Sequence, residues 1–326
     1  MAIDQYQRVI NYLRVSVTEA CNLRCVYCMP EKMTFRPGPA LLQDDEIVAL
    51  IGIFAELGFE KIRFTGGEPT VRSGIVGLVK ASAETPGIRR VALTTNGILL
   101  GKLAWSLRMA GLSQVNVSLD TLDANRYRQI TRWGNLSDVR SGLCAADRVG
   151  MRVKLNVVVV RGLNDGADIV ELARLTMDHF WQVRFIEMMP FGGLPEFQLS
   201  HTVADEEIRG RISAALGPLE STNLGELDGE ARMYRLRGSK GSVGFISPVS
   251  NPFCAGCNRA RLMADGMLRM CLLREREVDL KQAMRSGLGR EAIKKLIKDS
   301  VYLKPWGHGL ADHQFATNRT MSEIGG

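Results

Sequence analysis

Strand-like and helix-like segments alternate through the first two-thirds of this 326-residue chain, and that alternation limits its fold more than any other feature. The spacing predicts strands over 13–17, 61–65, 90–94, 114–118, 154–160 and 182–187. It predicts helices over 44–57, 75–82, 99–110, 138–149, 168–178 and 205–216. In the first helix Ile47, Leu50, Ile51 and Phe54 recur at helical spacing, acidic residues open it, and Gly58 stops it. Apolar strands alternating with helices build a parallel sheet. Six βα units fit either an incomplete barrel or a doubly wound sheet, and periodicity alone does not separate the two.

The pattern changes after residue 217. A polar, turn-rich loop is expected over 221–229, then short strands over 233–237 and 242–246. Segments 261–263 and 267–269 flank Asp265-Gly266, a strong hairpin signal. Helices over 279–285 and 291–298 follow. The chain is therefore expected to divide into an α/β part, 1–220, and an α+β part, 221–326.

No run of about 18 apolar residues is present, so no membrane partner is expected. The first ten residues lack the apolar core of a signal peptide. Six of the seven cysteines fall in two tight groups, which suits metal-bound thiolates in a reducing cytoplasm better than a disulfide framework. The net charge of +7 admits an anionic ligand. Aromatic residues are only 6% and do not interleave with basic runs, so nucleic acid is not an expected partner.

Cys21, Cys25 and Cys28 follow the first strand as C-x3-C-x2-C. That is the C-terminal end of a parallel strand, where active sites of such sheets lie. A structural zinc site closes its shell with four protein ligands, whereas three thiolates on a cubane leave one iron open. A zinc loop that borrows a fourth ligand is the competing reading. Cys254, Cys257 and Cys271 form a second trio, C-x2-C-x13-C, which the hairpin can bring together. A zinc ribbon competes there, although no fourth Cys or His stands at matching spacing.

The first trio, with Tyr27 before its last cysteine, resembles the signature of the radical S-adenosylmethionine (SAM) enzymes. Adding C-x2-C-N-R-A-R and Cys271 narrows the resemblance to the GTP 3′,8-cyclase family of molybdenum cofactor biosynthesis, over nearly the whole chain. The resemblance implies an incomplete (βα)6 radical SAM barrel and a C-terminal α+β domain carrying a second iron–sulfur cluster. It implies two 4Fe–4S clusters, SAM at the first and the guanine of GTP at the second. The chemistry implied is removal of the ribose H3′ by a 5′-deoxyadenosyl radical and closure onto guanine C8.

Roles follow residue by residue from that resemblance. Tyr27, Gly67 of the Gly66-Gly67-Glu68-Pro69 turn, Ser118 and Met188 match SAM-contacting positions. Arg14, Arg63, Thr94 and Lys154 match GTP-contacting positions, with Thr95 as the register alternative to Thr94. Arg259, Ala260 and Arg261 match a substrate-contacting segment in which both arginines also serve catalysis. Gly325 and Gly326 match a tail that enters the active site. A one-electron donor of flavodoxin or ferredoxin type, a cyclic pyranopterin monophosphate synthase acting next, and a homodimer are further implied. Cys144 reads as a small buried residue, and Gly287-Leu288-Gly289 follows a helix, which rejects a dinucleotide site.

Overall fold

The computed structural model describes every residue except 191–194, 223–229, 311–315, 317 and 326. Gly326, His313 and most of the expected loop 221–229 thus lie outside the described residues. The first part runs β1 (Tyr12–Ser16), α1 (Asp44–Glu56), β2 (Lys61–Thr65), α2 (Ile75–Glu84), β3 (Arg90–Thr95), α3 (Leu100–Met109) and β4 (Gln114–Ser118). Next come α4 (Ala124–Thr131), α5 (Leu136–Arg148), β5 (Arg152–Val159), α6 (Ala167–Asp178), β6 (Gln182–Glu187), α7 (Pro195–Ser200) and α8 (Asp205–Leu216). The remainder is β7 (Leu219–Ser221), β8 (Arg232–Leu236), β9 (Ser242–Ile246), β10 (Arg259–Leu262), β11 (Met267–Arg269), β12 (Glu277–Asp279), α9 (Leu280–Arg285), α10 (Arg290–Tyr302) and α11 (Met321–Ile324).

All twelve strands join one sheet, ordered β12-β11-β10-β1-β2-β3-β4-β5-β6-β9-β8-β7. The order does not return on itself, so the six central βα units form an incomplete barrel. Strands β1 to β6 are parallel, and β10 and β9 extend them in parallel on either side. The outer strands are antiparallel. Strands from the last third of the chain therefore flank the barrel on both sides. Among the described residues no helix is long and apolar enough to cross a membrane.

The strands are not the continuous apolar runs that a fully buried sheet suggests. Every second residue is apolar and packs under the helices: Leu13 and Val15, Ile62 and Phe64, Val115 and Val117, Leu155 and Val157 belong to one core. The alternate residues are polar and still buried, among them Arg14, Ser16, Arg63, Thr65, Asn116, Lys154 and Arg184. Period-two alternation sends these to the other face, the inside of the barrel. Register stacks them in rows, Arg261–Arg14–Arg63 in one and Thr94–Asn116–Lys154 in another.

Some elements differ from expectation. The helix α4 was not foreseen: it is eight residues long and mostly polar, and only Tyr127, Ile130 and Thr131 are buried. Asp123 caps it, accepting from the Arg126 N–H at 2.7 Å, which satisfies an otherwise orphaned donor. β1 begins one residue early because Tyr12 already pairs beside Lys61 and Arg259. Cys144 is exposed, not buried.

Aromatic packing joins the C-terminal strands to the barrel. The Phe245 ring of β9 stacks on Phe185 of β6 at 6.0 Å and meets Tyr234 of β8 edge-on at 5.5 Å. Phe245→Ala removes a fully buried ring and should cost about 3–5 kcal/mol in equilibrium denaturation. Amide exchange should accelerate more in β8 and β9 than in β3 and β4. A loss under about 1 kcal/mol would show that this seam does not carry the attachment.

Candidate active site

One cavity of about 310 Å³ opens at the C-terminal ends of the barrel strands, and all six clustered cysteines line it. The loop after β1 lies along the end of β2. Gly67 N–H donates to the Thr18 carbonyl at 2.7 Å and Glu68 N–H to the Ala20 carbonyl at 2.8 Å. A Cβ on Gly67 would sit 2.3 Å from the Glu19 carbonyl oxygen and 2.5 Å from that of Ala20, so this close approach demands glycine. Beyond it the chain turns tightly, with Cys28 N–H donating to the Cys25 carbonyl at 3.0 Å. Arg24 braces the turn, donating to the Cys21 carbonyl at 2.7 Å and lying over the Trp133 ring at 4.4 Å.

Burial pushes the Cys21 thiol up to about 11 and the Cys28 thiol up to about 12, and it drives Cys25 well above the ordinary thiol range. Such thiols become thiolates only when a cation compensates them. Three thiolates leave one corner of a cubane without a protein ligand, whereas a structural zinc site takes four protein ligands, so the donor set fits an iron–sulfur cluster better than zinc.

Tyr27, Gly67, Ser118 and Met188 also line the cavity. The Tyr27 hydroxyl donates to Asp120 at 2.6 Å, and burial raises that carboxyl to about 6. Glu68 accepts from the Thr95 hydroxyl at 2.7 Å and from Asn96 N–H at 2.6 Å, so Thr95 is committed to the turn. Thr94 lines the cavity from the adjacent position. Sequence reasoning passed over Asp120, and it named Glu68 only as a member of its turn, because their partners lie far away in the chain.

The second trio approaches from the opposite side. Cys254 and Cys257 share a tight turn, Cys257 N–H donating to the Cys254 carbonyl at 3.1 Å, and Cys271 follows β11. His308 also lines the cavity, so distance along the chain did not exclude it as a fourth ligand. Its bonding does: Nε2 pairs with the Pro248 carbonyl at 2.8 Å while Nδ1 accepts from Leu310 N–H at 3.1 Å. Both ring nitrogens are occupied. Burial opposes charge on Cys257, but Arg259 and Lys304 outweigh it and bring the thiol down to about 6.

Between the trios lie Arg14, Arg63, Arg184, Arg259 and Arg261. Arg184 was missed in the sequence because a single arginine on a strand carries no motif. Burial, then the like charges of Arg14 and Arg259, drive the Arg261 guanidinium well below its ordinary range. Arg14 Nε is buried without a hydrogen-bond partner among the described residues. Glu230, also missed, forms ion pairs with both Arg14 and Arg259. Ala260 points into the apolar core, so only its backbone can face a ligand. Lys154 is buried on the row of Thr94 but is not among the side chains lining the cavity. Arg261 donates to the Gly325 carbonyl at 2.8 Å, which draws the end of the chain to the site.

Comparison with known proteins agrees with this geometry. Residues 15–176 match the family model of the Radical SAM superfamily, and 181–310 match that of Molybdenum Cofactor Synthesis C. The chain is 46% identical to the GTP 3′,8-cyclase of Pelotomaculum thermopropionicum over 325 residues, 99% of each chain. It is equally similar, over the same share, to the GTP 3′,8-cyclase of Moorella thermoacetica. Among solved structures it resembles Streptococcus suis SuiB bound to S-adenosylmethionine, with a TM-score of 0.60 and 16% identity over 93% of this chain and 68% of that one. That likeness concerns the fold alone.

The clash at Gly67 gives a direct test. Gly67→Ala should displace the first cysteine loop and lower reconstituted iron. Unchanged iron in this variant would mean that the loop tolerates a different path.

Proposed function

The chain belongs to the GTP 3′,8-cyclase family of radical SAM enzymes, and from that membership we propose how its residues divide the reaction. The reaction is cyclisation of GTP to (8S)-3′,8-cyclo-7,8-dihydroguanosine 5′-triphosphate, the first step of molybdenum cofactor biosynthesis. The observation that carries the division of roles is that both cysteine trios and five arginines face one cavity.

Cys21, Cys25 and Cys28 hold the 4Fe–4S cluster that the family requires, leaving one iron for SAM. When bound, that pair supplies the 5′-deoxyadenosyl radical that takes H3′ from the ribose. Tyr27, Gly67, Ser118 and Met188 form the SAM wall. Asp120 fixes Tyr27 through the hydroxyl bond at 2.6 Å. Cys254, Cys257 and Cys271 would hold a second 4Fe–4S cluster, which would supply a site for the guanine, and His308, engaged with Pro248 and Leu310, would not add a fourth protein ligand.

Arg14, Arg63, Arg259 and Arg261 neutralise the triphosphate, and burial makes each charge worth more than it would be in water. Thr94 completes the substrate wall, Lys154 lends its charge from behind on the same row, and the Ala260 backbone supports it. Arg259 and Arg261 also remain beside the base while the ring closes, where fixed positive charge favours the electron-rich product. Gly325 and Gly326 are the tail residues that act in catalysis, with the Gly325 carbonyl held by Arg261. Residues 1–220 act as the radical unit and 221–326 as the base-binding unit. The working enzyme is a cytoplasmic homodimer that takes its electron from a flavodoxin- or ferredoxin-like donor and passes product to cyclic pyranopterin monophosphate synthase.

Anaerobic purification should give a brown protein with about eight irons per chain, four per cubane. With SAM, dithionite and GTP it should form 5′-deoxyadenosine as GTP is consumed. Equal turnover of ATP or of a peptide would overturn the substrate assignment. Cys28→Ser should abolish SAM cleavage, whereas Cys271→Ser should keep part of it and lose GTP turnover. Matching losses in both variants, with the fold intact, would contradict separate roles. Removing Gly325 and Gly326 should stop cyclisation with both clusters retained, and full activity of the shortened chain would refute the tail's part.

A further inference from the structure

Among the described residues, Glu230 places a carboxylate among the arginines. It comes from the segment just before β8, its side chain is 7% exposed, and it pairs with Arg14 of β1 and Arg259 of β10. Burial alone would favour the neutral acid. Arg14 and Arg259, then Arg63 and Arg184, outweigh burial and hold the carboxyl well below the usual carboxylate range. The group is therefore an anion at any physiological pH.

Its two partners sit far apart in the chain, on the paired strands β1 and β10. They are two of the four arginines assigned above to the triphosphate. A carboxylate and a phosphate oxygen present the same acceptor geometry to a guanidinium, so they compete for one place. Two anions also repel strongly where water is excluded.

We propose that Glu230 is an internal surrogate for a substrate phosphate: it occupies the arginine pair in the empty enzyme and must be displaced when the polyphosphate enters. The inference rests on the reading of the arginines as the triphosphate site and adds a specificity element to it. Displacing a paired carboxylate costs the incoming ligand a fixed amount. A triphosphate offsets that cost by also engaging Arg63, Arg184 and Arg261, whereas a small monoanion cannot reach them all. Glu230 thus rejects weakly charged anions and keeps the guanidiniums desolvated and aligned between turnovers. Selectivity of this kind comes from building a competitor into the site.

The test uses reconstituted holoenzyme, anaerobic calorimetry, and three probes: GTP, inorganic tripolyphosphate and guanosine. Glu230→Gln keeps the shape of the side chain and removes its charge. Tripolyphosphate and GTP should each bind about tenfold or more tightly to E230Q, because a neutral amide competes poorly for guanidinium. Guanosine, which carries no phosphate, should bind both proteins alike. Glu230→Ala, if E230Q fails to fold, should shift the same probes in the same direction. Weaker or unchanged tripolyphosphate binding in the variants would overturn the surrogate role and make Glu230 a brace for the arginines, while the triphosphate site itself stands. Failure of tripolyphosphate to compete with GTP on the unaltered enzyme would overturn the site assignment and the surrogate with it.

Discussion

Charge on the inward face of a parallel sheet is the constraint around which this structure is arranged. Sheets of this kind usually bury apolar side chains on both faces. Here one face is apolar under the helices and the other carries guanidiniums that are almost without solvent. An unpaired buried charge costs several kcal/mol. The barrel can keep its arginines only if polar groups converge on them. Asn156 accepts from Arg184 at 2.6 Å, and Asn116, with its amide turned to satisfy its neighbours, accepts from Arg63 at 2.7 Å and Arg184 at 2.8 Å. Glu230 and the Gly325 carbonyl compensate the rest in part. Together these groups fix the guanidiniums in position before any ligand arrives.

The same accounting separates the two cysteine trios. The first lies in a buried setting in which Glu68 and Asp120 add negative charge, so its thiols resist ionisation. The second lies beside Arg259 and Lys304, which favour the Cys257 thiolate. Arg259 therefore faces two anions at once, Cys257 on one side and Glu230 on the other. A change at Glu230 is felt at Cys257 through one guanidinium. The first trio is braced instead by Arg24 and Asn96, which both bond at Cys21. The electrostatic wiring of the pocket is asymmetric between the two trios.

Much of the frame was legible because its signals are local. The strands over 61–65, 114–118 and 182–187 and the helix over 205–216 match the observed elements, since β-branched runs and flanking glycines mark them. The helix α4 was hidden by its polar composition and by a cap that only the fold reveals. The strands read as apolar runs, and their alternation went unremarked, because each buried arginine or asparagine looks in isolation like an interruption. Glu230, Asp120 and Asn116 carry no motif at all. Their importance is a matter of which strand lies next to which, and a single chain does not display that order. His308 shows the same limit from the other side: spacing argued against it as a ligand, yet only its two bonded ring nitrogens decide the matter.

The end of the chain shows how tightly the site wall is specified. Gly325 adopts φ +77°, and a Cβ there would lie 2.3 Å from the Thr65 hydroxyl and 3.0 Å from Ser16 Cβ. Glycine is required by both conformation and contact. The short helix α11 before it is held by a capping box between Thr320 and Glu323. Arg319 adds buried ion pairs to Asp265 at 2.8 Å and Glu277 at 2.7 Å, and Arg36 reaches Glu323 at 3.3 Å. A frayed terminus has no need of such anchors. Several independent interactions converge to bring one glycine carbonyl onto Arg261, which places the tail under the same rule as the rest of the pocket: a polar group goes where a buried arginine must be satisfied.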